Sequence, residues 1–262
     1  MELDKTQIAR QFSRAATTYD DVSQLQIEMA ERLLDRLKVY SLANSKTPAN
    51  LVDLGCGTGW AMEQIAKLDP PIVLTGIDIA QGMIDVAAKR TPTASFICCD
   101  LEQTPIEDDS VNFVFSNAAI QWCEPDSAFD EIKRILRPDG RLIASTFGPS
   151  TLKEWREALV AIGSQPRVHE FETPESLSAS LAKNGFSEIA IETDIRHFHF
   201  NCVDSMFQSI KKLGATNAST NRPAGMLGRE LYRNLRAIFE SQLGADGSLS
   251  LTFDCVFISA IA

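Results

Sequence analysis

The chain has 262 residues, room for one α/β domain with an insertion. Apolar residues make up 44%, so a sizeable core can form and disorder is excluded as the default. A formal net charge of −10 argues against a nucleic-acid groove and against docking on an anionic membrane, and no apolar run approaches the ~18 residues of a spanning helix.

The N-terminal stretch MELDKTQIARQF is charged and has no apolar central segment, so it does not read as a secretion signal. Six cysteines lack C-x-x-C or zinc spacing and mostly adjoin apolar residues. They read as buried free thiols of a reducing, cytoplasmic protein. Residues 4–16 predict a helix, with Ile8, Ala9, Phe12, Ala15 and Ala16 along one face. Residues 22–39 predict a second, striped by Leu25, Met29, Leu33, Leu34 and Leu37. After the polar stretch SLANSKTPAN, the strand LVDL, the loop GCGTG and a helix over 60–68 follow. IVLTGID, ASFICC, VNFVFS and RLIASTF predict four more strands, with helices over 81–90 and along PDSAFDEIKRIL. Arg137-Pro138-Asp139-Gly140 has the composition of a tight turn. Strand–helix alternation of this kind is the pattern of a doubly wound parallel sheet.

Beyond residue 147 the pattern loosens. Helices are expected over 151–162 and 174–184, then the alternating stretch SEIAIETDIRHFHF, then helices over 203–213 and 228–241 around the loop GATNASTNRPAGML. The alternating strand SLSLTFDCVFISAI closes the chain. The expected organisation is a helical lid at 1–45, a core at 46–202 and 247–262, and a helical insertion at 203–246 before the last strand.

LVDLGCGTGW poses the functional question. A dinucleotide fingerprint starting at Gly55 would need its third glycine at position 60, which is Trp60. The pattern is instead Asp53, Gly55, Gly57, Gly59. A ligand without phosphate needs backbone that passes beneath an amino-acid part and a carboxylate that meets its ammonium. S-adenosylmethionine is such a ligand, with Asp53 as that carboxylate. Asp78 ends the second strand, where a carboxylate can take both ribose hydroxyls; it also precedes a helix and reads equally as a cap. Asp100 ends the third, where a carboxylate can accept from the adenine amino group with the Leu101 N–H on a ring nitrogen.

LVDLGCGTG, GIDIAQGMID, CDLEQTPIEDDSVNFVFSNAAIQW and LRPDGRL, spread over residues 51–147, resemble the class I S-adenosylmethionine-dependent methyltransferases. The resemblance implies a doubly wound, mostly parallel seven-stranded α/β sheet with S-adenosylmethionine across its strand ends and no metal. It adds Met83, Asn117 and Trp122 to the cofactor-binding residues. Methyltransferases that attack base amino groups carry an (N/D)PP(Y/F/W) motif after the fourth strand. Here that site reads Asn117-Ala118-Ala119-Ile120, which disfavours a nucleic-acid amine.

The flanks QIARQFSRAATTYDDVSQLQ, SNAAIQWCEP, FGPSTLKEWREAL and SMFQSIKKLGATNAST resemble the malonyl-acyl-carrier-protein O-methyltransferase family of biotin synthesis. That resemblance implies methylation of the free carboxylate of a malonyl thioester on acyl carrier protein or on malonyl-CoA. A malonyl carboxylate is ionised near neutral pH, so no catalytic base is required, only alignment and exclusion of water. The residues assigned to that work are Tyr19 in the lid, with Phe12 and Trp122 as aromatic wall, and the cations Arg156 and Arg14 for the substrate carboxylate. Lys211, Lys212, Arg222, Arg229, Arg233 and Arg236 are expected to make a basic face for the acidic carrier, although Glu230 and Glu240 intervene. His197 and His199 read as strand residues. Two alternatives stay open: a carboxyl methyltransferase for a free dicarboxylic acid, and a non-catalytic cofactor-binding scaffold.

Overall fold

The computed structural model describes residues 4–42, 49–68, 71–164, 169–212, 229–244 and 248–262. Seven strands form one sheet in the order β3-β2-β1-β4-β5-β7-β6. They are β1 (Ala49–Leu54), β2 (Ile72–Asp78), β3 (Ser95–Cys98), β4 (Val111–Asn117), β5 (Leu136–Phe147), β6 (Ser187–Phe200) and β7 (Leu249–Ile261). β1 to β5 run parallel, and β7 enters antiparallel between β5 and β6. The order reverses between β1 and β4, the switch point outside whose carboxyl ends such sheets bind ligands.

Helices α1 (Lys5–Ala15), α2 (Gln24–Leu42), α3 (Trp60–Ile65), α4 (Gln81–Arg90), α5 (Pro125–Ile135), α6 (Lys153–Ala161), α7 (Pro174–Lys183), α8 (Val203–Lys212) and α9 (Arg229–Ser241) complete the described elements. Leu33 and Leu37 of α2 and Met62 and Ile65 of α3 meet Phe115 in one core; Phe129 and Ile132 of α5 meet Leu142 and Val256 in the other. Both faces of the central strands are therefore covered, which is why they read as continuous apolar runs. No helix among the described residues is long and apolar enough to cross a membrane.

Among the described residues the expected strands and helices form, with three corrections; the loop GATNASTNRPAGML and most of the stretch SLANSKTPAN lie outside those residues. The helix predicted over 60–68 ends at Ile65. Residues 137–140 do not make a free turn. Leu136 already pairs with Val111, and the register jumps so that Arg141 pairs with Phe113. The residues between bulge out of the ladder with Asp139 at φ +66°, and Gly140 accepts from the Ala262 N–H at 2.8 Å. A proline has no N–H to lose there, so the bulge is tolerated. Of the six free thiols, Cys56 and Cys255 are buried, whereas Cys98 and Cys202 are exposed.

The chain between β6 and β7 carries α8 and α9, and Trp155 of α6 joins them to the sheet. Its ring lies 5.0 Å from Phe207 and stacks at 5.7 Å on Phe239. At the other end, α1 lies on α4. A Cβ on Gly82 would stand 2.6 Å from the Ser13 carbonyl oxygen, so only glycine lets the two backbones approach this closely. Gly82→Ala raises the helix propensity of α4 but must push α1 away. Amide exchange over residues 5–15 is expected to quicken while exchange over α4 stays slow; unchanged exchange in α1 would show that this contact does not hold it.

Candidate active site

Every predicted cofactor residue lies at the carboxyl edge of β1, β2, β3 or β4, or on the segment that follows one of them. The loop after β1 is tied to β2 by the Gly55 and Cys56 N–H groups, both donating to the Ile77 carbonyl at 2.7 and 2.9 Å. Gly55, Gly57 and Gly59 have φ of +77°, +54° and +77°. A Cβ on Gly55 would collide with Ala119 at 2.2 Å, so that glycine serves packing against β4. Gly57 differs, because its Cβ would meet nothing within 4 Å. Its bare face opens onto the cleft.

The cleft measures about 670 Å³ with its open mouth. Asp78, Met83, Asp100, Leu101, Asn117 and Trp122 line it together with Gly55 and Gly57. Asp78 accepts the Gly57 N–H at 2.9 Å on one oxygen and the Ala80 N–H at 2.8 Å on the other. It therefore both turns the chain into α4 and steadies the glycine loop, with lone pairs left on each oxygen. Burial pushes its carboxyl up despite those two bonds. Asp100 accepts from the Glu102 N–H at 3.1 Å and from Lys5 of α1 at 2.5 Å.

A second cavity of about 460 Å³ shares Tyr19, Gly55, Gly57 and Asn117 with the first and continues past the glycine loop to Asp53. Asp53 is 2% exposed, and no donor among the described residues bonds its carboxylate. Burial first, and the charge of Asp78 second, push that carboxyl up to about 8. An unpartnered buried carboxylate next to an open glycine fits a ligand that brings a cation. The donor set thus matches S-adenosylmethionine: acceptors for ribose and adenine at β2 and β3, and an ammonium partner at β1. Among the described residues, no cluster of histidine, cysteine and carboxylate side chains could hold a metal ion.

The N-terminal segment grips this edge at both ends. Lys5 also pairs with Glu102 at 2.8 Å; burial opposes its charge, but the two carboxylates outweigh it and raise its pKa. After α1, Asp20 accepts from the Thr58 hydroxyl at 2.6 Å and from Arg90 at 2.5 Å. Between these grips, Phe12 packs edge-on against Tyr19 at 6.1 Å and Trp122 at 5.9 Å, and all three line the cleft. Burial, then the carboxylates of Asp78 and Asp20, hold the Tyr19 phenol protonated.

The predicted cations are placed elsewhere. Arg14 is exposed on α1. Arg156 on α6 donates to the Pro149 and Thr151 carbonyls, the latter at 2.8 Å, and is not part of the cleft lining. Lys5 is the cation among the described lining residues. Arg222 lies outside the described residues, as do the side chains of Lys211, Lys212 and Arg229. Arg233 is exposed, and Arg236 is spent on Asp204 and Glu240. His197 sits exposed on β6, its ring 3.4 Å from Thr252. Sequence reasoning missed Lys5, Asp20, Thr58, Arg90 and His169, whose ring lies 5.4 Å from that of Trp122. Lys5 had a signal: it precedes Ile8 and Phe12 by helical spacing, and those three line the cleft.

The raised pKa of Asp53 sets a sign. Between the unfolded value near 4 and about 8, the folded state holds a proton that the unfolded chain has released. Stability of the ligand-free protein therefore falls as pH rises through that window. Asp53→Asn is expected to melt above the unsubstituted protein at pH 8, with the gap closing toward pH 4. A ligand ammonium restores the charge, so binding of S-adenosylhomocysteine at pH 7 should release about one proton per site. Calorimetry in buffers of different ionisation heat measures this; normal affinity without proton release would show Asp53 already ionised.

The family described as a methyltransferase domain matches residues 52–144, the span that carries these strand ends. A malonyl-[acyl-carrier protein] O-methyltransferase of Methylovorus sp. (strain MP688) is 34% identical over 97% of this chain and 88% of its own length. The protein of that name from Gallionella capsiferriformans (strain ES-2) is 32% identical over 97% and 90%. In fold, the chain resembles Haemonchus contortus phosphoethanolamine N-methyltransferase 2, solved with phosphomonomethylethanolamine and S-adenosylhomocysteine. The TM-score is 0.56 at 20% identity, covering 88% of this chain and 52% of that one. Similarity nearly end to end above 30% identity, on a sheet of this order, places the chain in the malonyl-[acyl-carrier protein] O-methyltransferase family.

Proposed function

We propose that this protein transfers a methyl group from S-adenosylmethionine to the free carboxylate of a malonyl thioester on acyl carrier protein, an early step of biotin synthesis. The unpartnered Asp53 carboxylate beside the open face of Gly57 carries the cofactor half of this reading. Membership of the family carries the acceptor half. When bound, the cofactor supplies an electrophilic methyl group on a positively charged sulfur.

The chain's own residues then have three tasks. Asp53, Asp78 and Asp100 fix the cofactor along the strand edge. Tyr19, Phe12 and Trp122 exclude water and present ring faces to the sulfonium, a term of about 0.5–2 kcal/mol. The third task is to orient the malonyl carboxylate, and we assign it to Arg156. Its second terminal nitrogen is taken by two loop carbonyls after β5, which holds the guanidinium in place and leaves Nε and the first terminal nitrogen for single charge-assisted bonds to a carboxylate. The rings of Trp122, His169, Phe171 and Phe147 run in contact from the cleft to the end of β5 and mark the acceptor side. Arg14 is the second cation in this assignment, reaching the acceptor from the lid. No proton has to move, because the attacking oxygen is already ionised. The free thiols suit a reducing cytoplasm.

A methyl-transfer assay with labelled S-adenosylmethionine is expected to favour malonyl-carrier protein over malonyl-CoA and to leave free malonate unmethylated. Arg156→Lys should lower turnover more than cofactor binding, because a flexible ammonium lacks the planar geometry by which the guanidinium bonds both loop carbonyls and still presents a donor to the carboxylate. Equal rates on free diacids and the carrier-bound substrate would overturn the acceptor assignment; full activity of Arg156→Ala would move the carboxylate partner to Arg14.

A further inference from the structure

One stripe of α2 and its approach walls the methionine-side cavity: Ser23, Gln26, Ile27 and Ala30 line it at helical spacing. Gln26 is the long polar member. Its Oε1 is shielded from water and meets no donor among the described residues. Its backbone, by contrast, is pinned. The Gln26 carbonyl accepts from Asn117 Nδ2 at 2.9 Å, and Asn117 Oδ1 accepts from Ser145 Oγ at 2.7 Å. That relay from β5 through β4 fixes the register of α2 over the sheet edge at this residue.

An oxygen withdrawn from water without a donor weakens a fold, and an apolar side chain of equal length would pack there at no such cost. The same cavity holds a second acceptor without a donor, the Asp53 carboxylate. Asp20, the remaining carboxylate of its lining, is already spent on Thr58 and Arg90. Two unpaired acceptors in one cavity call for a compact cation with several N–H groups. The end of S-adenosylmethionine that enters beside Asp53 is an amino acid, and its α-ammonium is such a group.

We infer that the Gln26 side-chain amide is a receptor for the amino-acid end of the cofactor. Its oxygen shares the ammonium with Asp53 once the terminal torsion turns it inward, a soft motion for an amide. Its NH2 group is then free for the ligand carboxylate. Gln26 in this role selects a ligand that carries the amino-acid end over one that carries adenosine alone. The inference rests on S-adenosylmethionine as the cofactor and not on the identity of the acceptor.

The test compares two thioether ligands: S-adenosylhomocysteine, and 5′-methylthioadenosine, which lacks the amino acid. Gln26→Met keeps the length and helix propensity of the side chain and removes both polar atoms. It is expected to lose about tenfold or more in affinity for S-adenosylhomocysteine, the scale of a hydrogen bond to a charged group. Affinity for methylthioadenosine should stay within about twofold, and the ligand-free melting temperature should stay level or rise. Gln26→Leu should behave alike. Undiminished binding of S-adenosylhomocysteine, or equal losses on both ligands with a lower melting temperature, would overturn the inference. So would failure of both variants to fold, because Oε1 makes no bond in the free protein. An unsubstituted protein that binds neither ligand would overturn the cofactor reading itself.

Discussion

A carboxylate taken out of water needs a positive partner, and the protein offers Asp53 none among its described residues. Three consecutive parallel strands, β1, β2 and β3, carry an aspartate at or within two residues of their ends, and the three are satisfied differently. Asp100 has Lys5, Asp78 has two backbone N–H groups, and Asp53 is left in the dark beneath the glycine loop. That gradient suits the proposed roles. The oxygens with spare lone pairs suit neutral hydroxyls and an amino group, whereas a buried carboxyl that holds its proton to about pH 8 suits a cation that lets it ionise. The sheet itself makes this possible. Its helix-covered faces exclude water, so a side chain just inside the carboxyl edge is desolvated by the same packing that stabilises the strands.

The lid draws on the same groups. Lys5 grips Asp100, and Asp20 grips Thr58 within the glycine loop. Closure of α1 and the shape of the site are therefore not independent. A carboxylate has about four acceptor positions, so Asp100 can hold Lys5 and an adenine amino group together. The Arg90–Asp20 contact is part-buried and joins the last residue of α4 to the turn that sets Tyr19 over the cleft. Lids are drawn from the less stable parts of a fold. Here the charged contacts at the two ends of the segment flank a small apolar cluster of Phe12, Ala16 and Tyr19 against Ala80 and Met83.

The sheet and its strand ends were legible because each β1–β5 strand is an apolar run closed by a polar residue or a turn, and because spacing alone separates D-x-G-x-G-x-G from the dinucleotide pattern. Other features carried no such signal. Periodicity placed Ile8 and Phe12 on one face of α1 but could not distinguish a core from the wall of a cleft, since both reward the same stripe. The Arg90–Asp20–Thr58 contacts join residues far apart in the chain, and no local pattern announces them. Arg137–Gly140 has turn composition and yet bulges within β5, because Leu136 is captured by Val111 before the turn can close. Arg156 was chosen for its place after the fifth strand; sequence could not foresee that two loop carbonyls hold its guanidinium.

On the proposed reading, the charge of the site also orders the reaction. Asp78, Asp100 and Glu102 crowd one edge of a chain whose net charge is −10, with Asp53 ready to ionise beside them and Lys5 as the cation among the described lining residues. Such an edge attracts a cofactor that is positive at sulfur and at its ammonium. The same edge repels a malonyl carboxylate, and in a cleft closed from water that repulsion is only weakly screened. Once the cofactor is seated, its ammonium pairs with Asp53 and its sulfonium carries the reacting methyl group, so the incoming carboxylate meets a positive centre where the bond must form. The acidic edge that binds the methyl donor thus discourages the acceptor from entering an empty site.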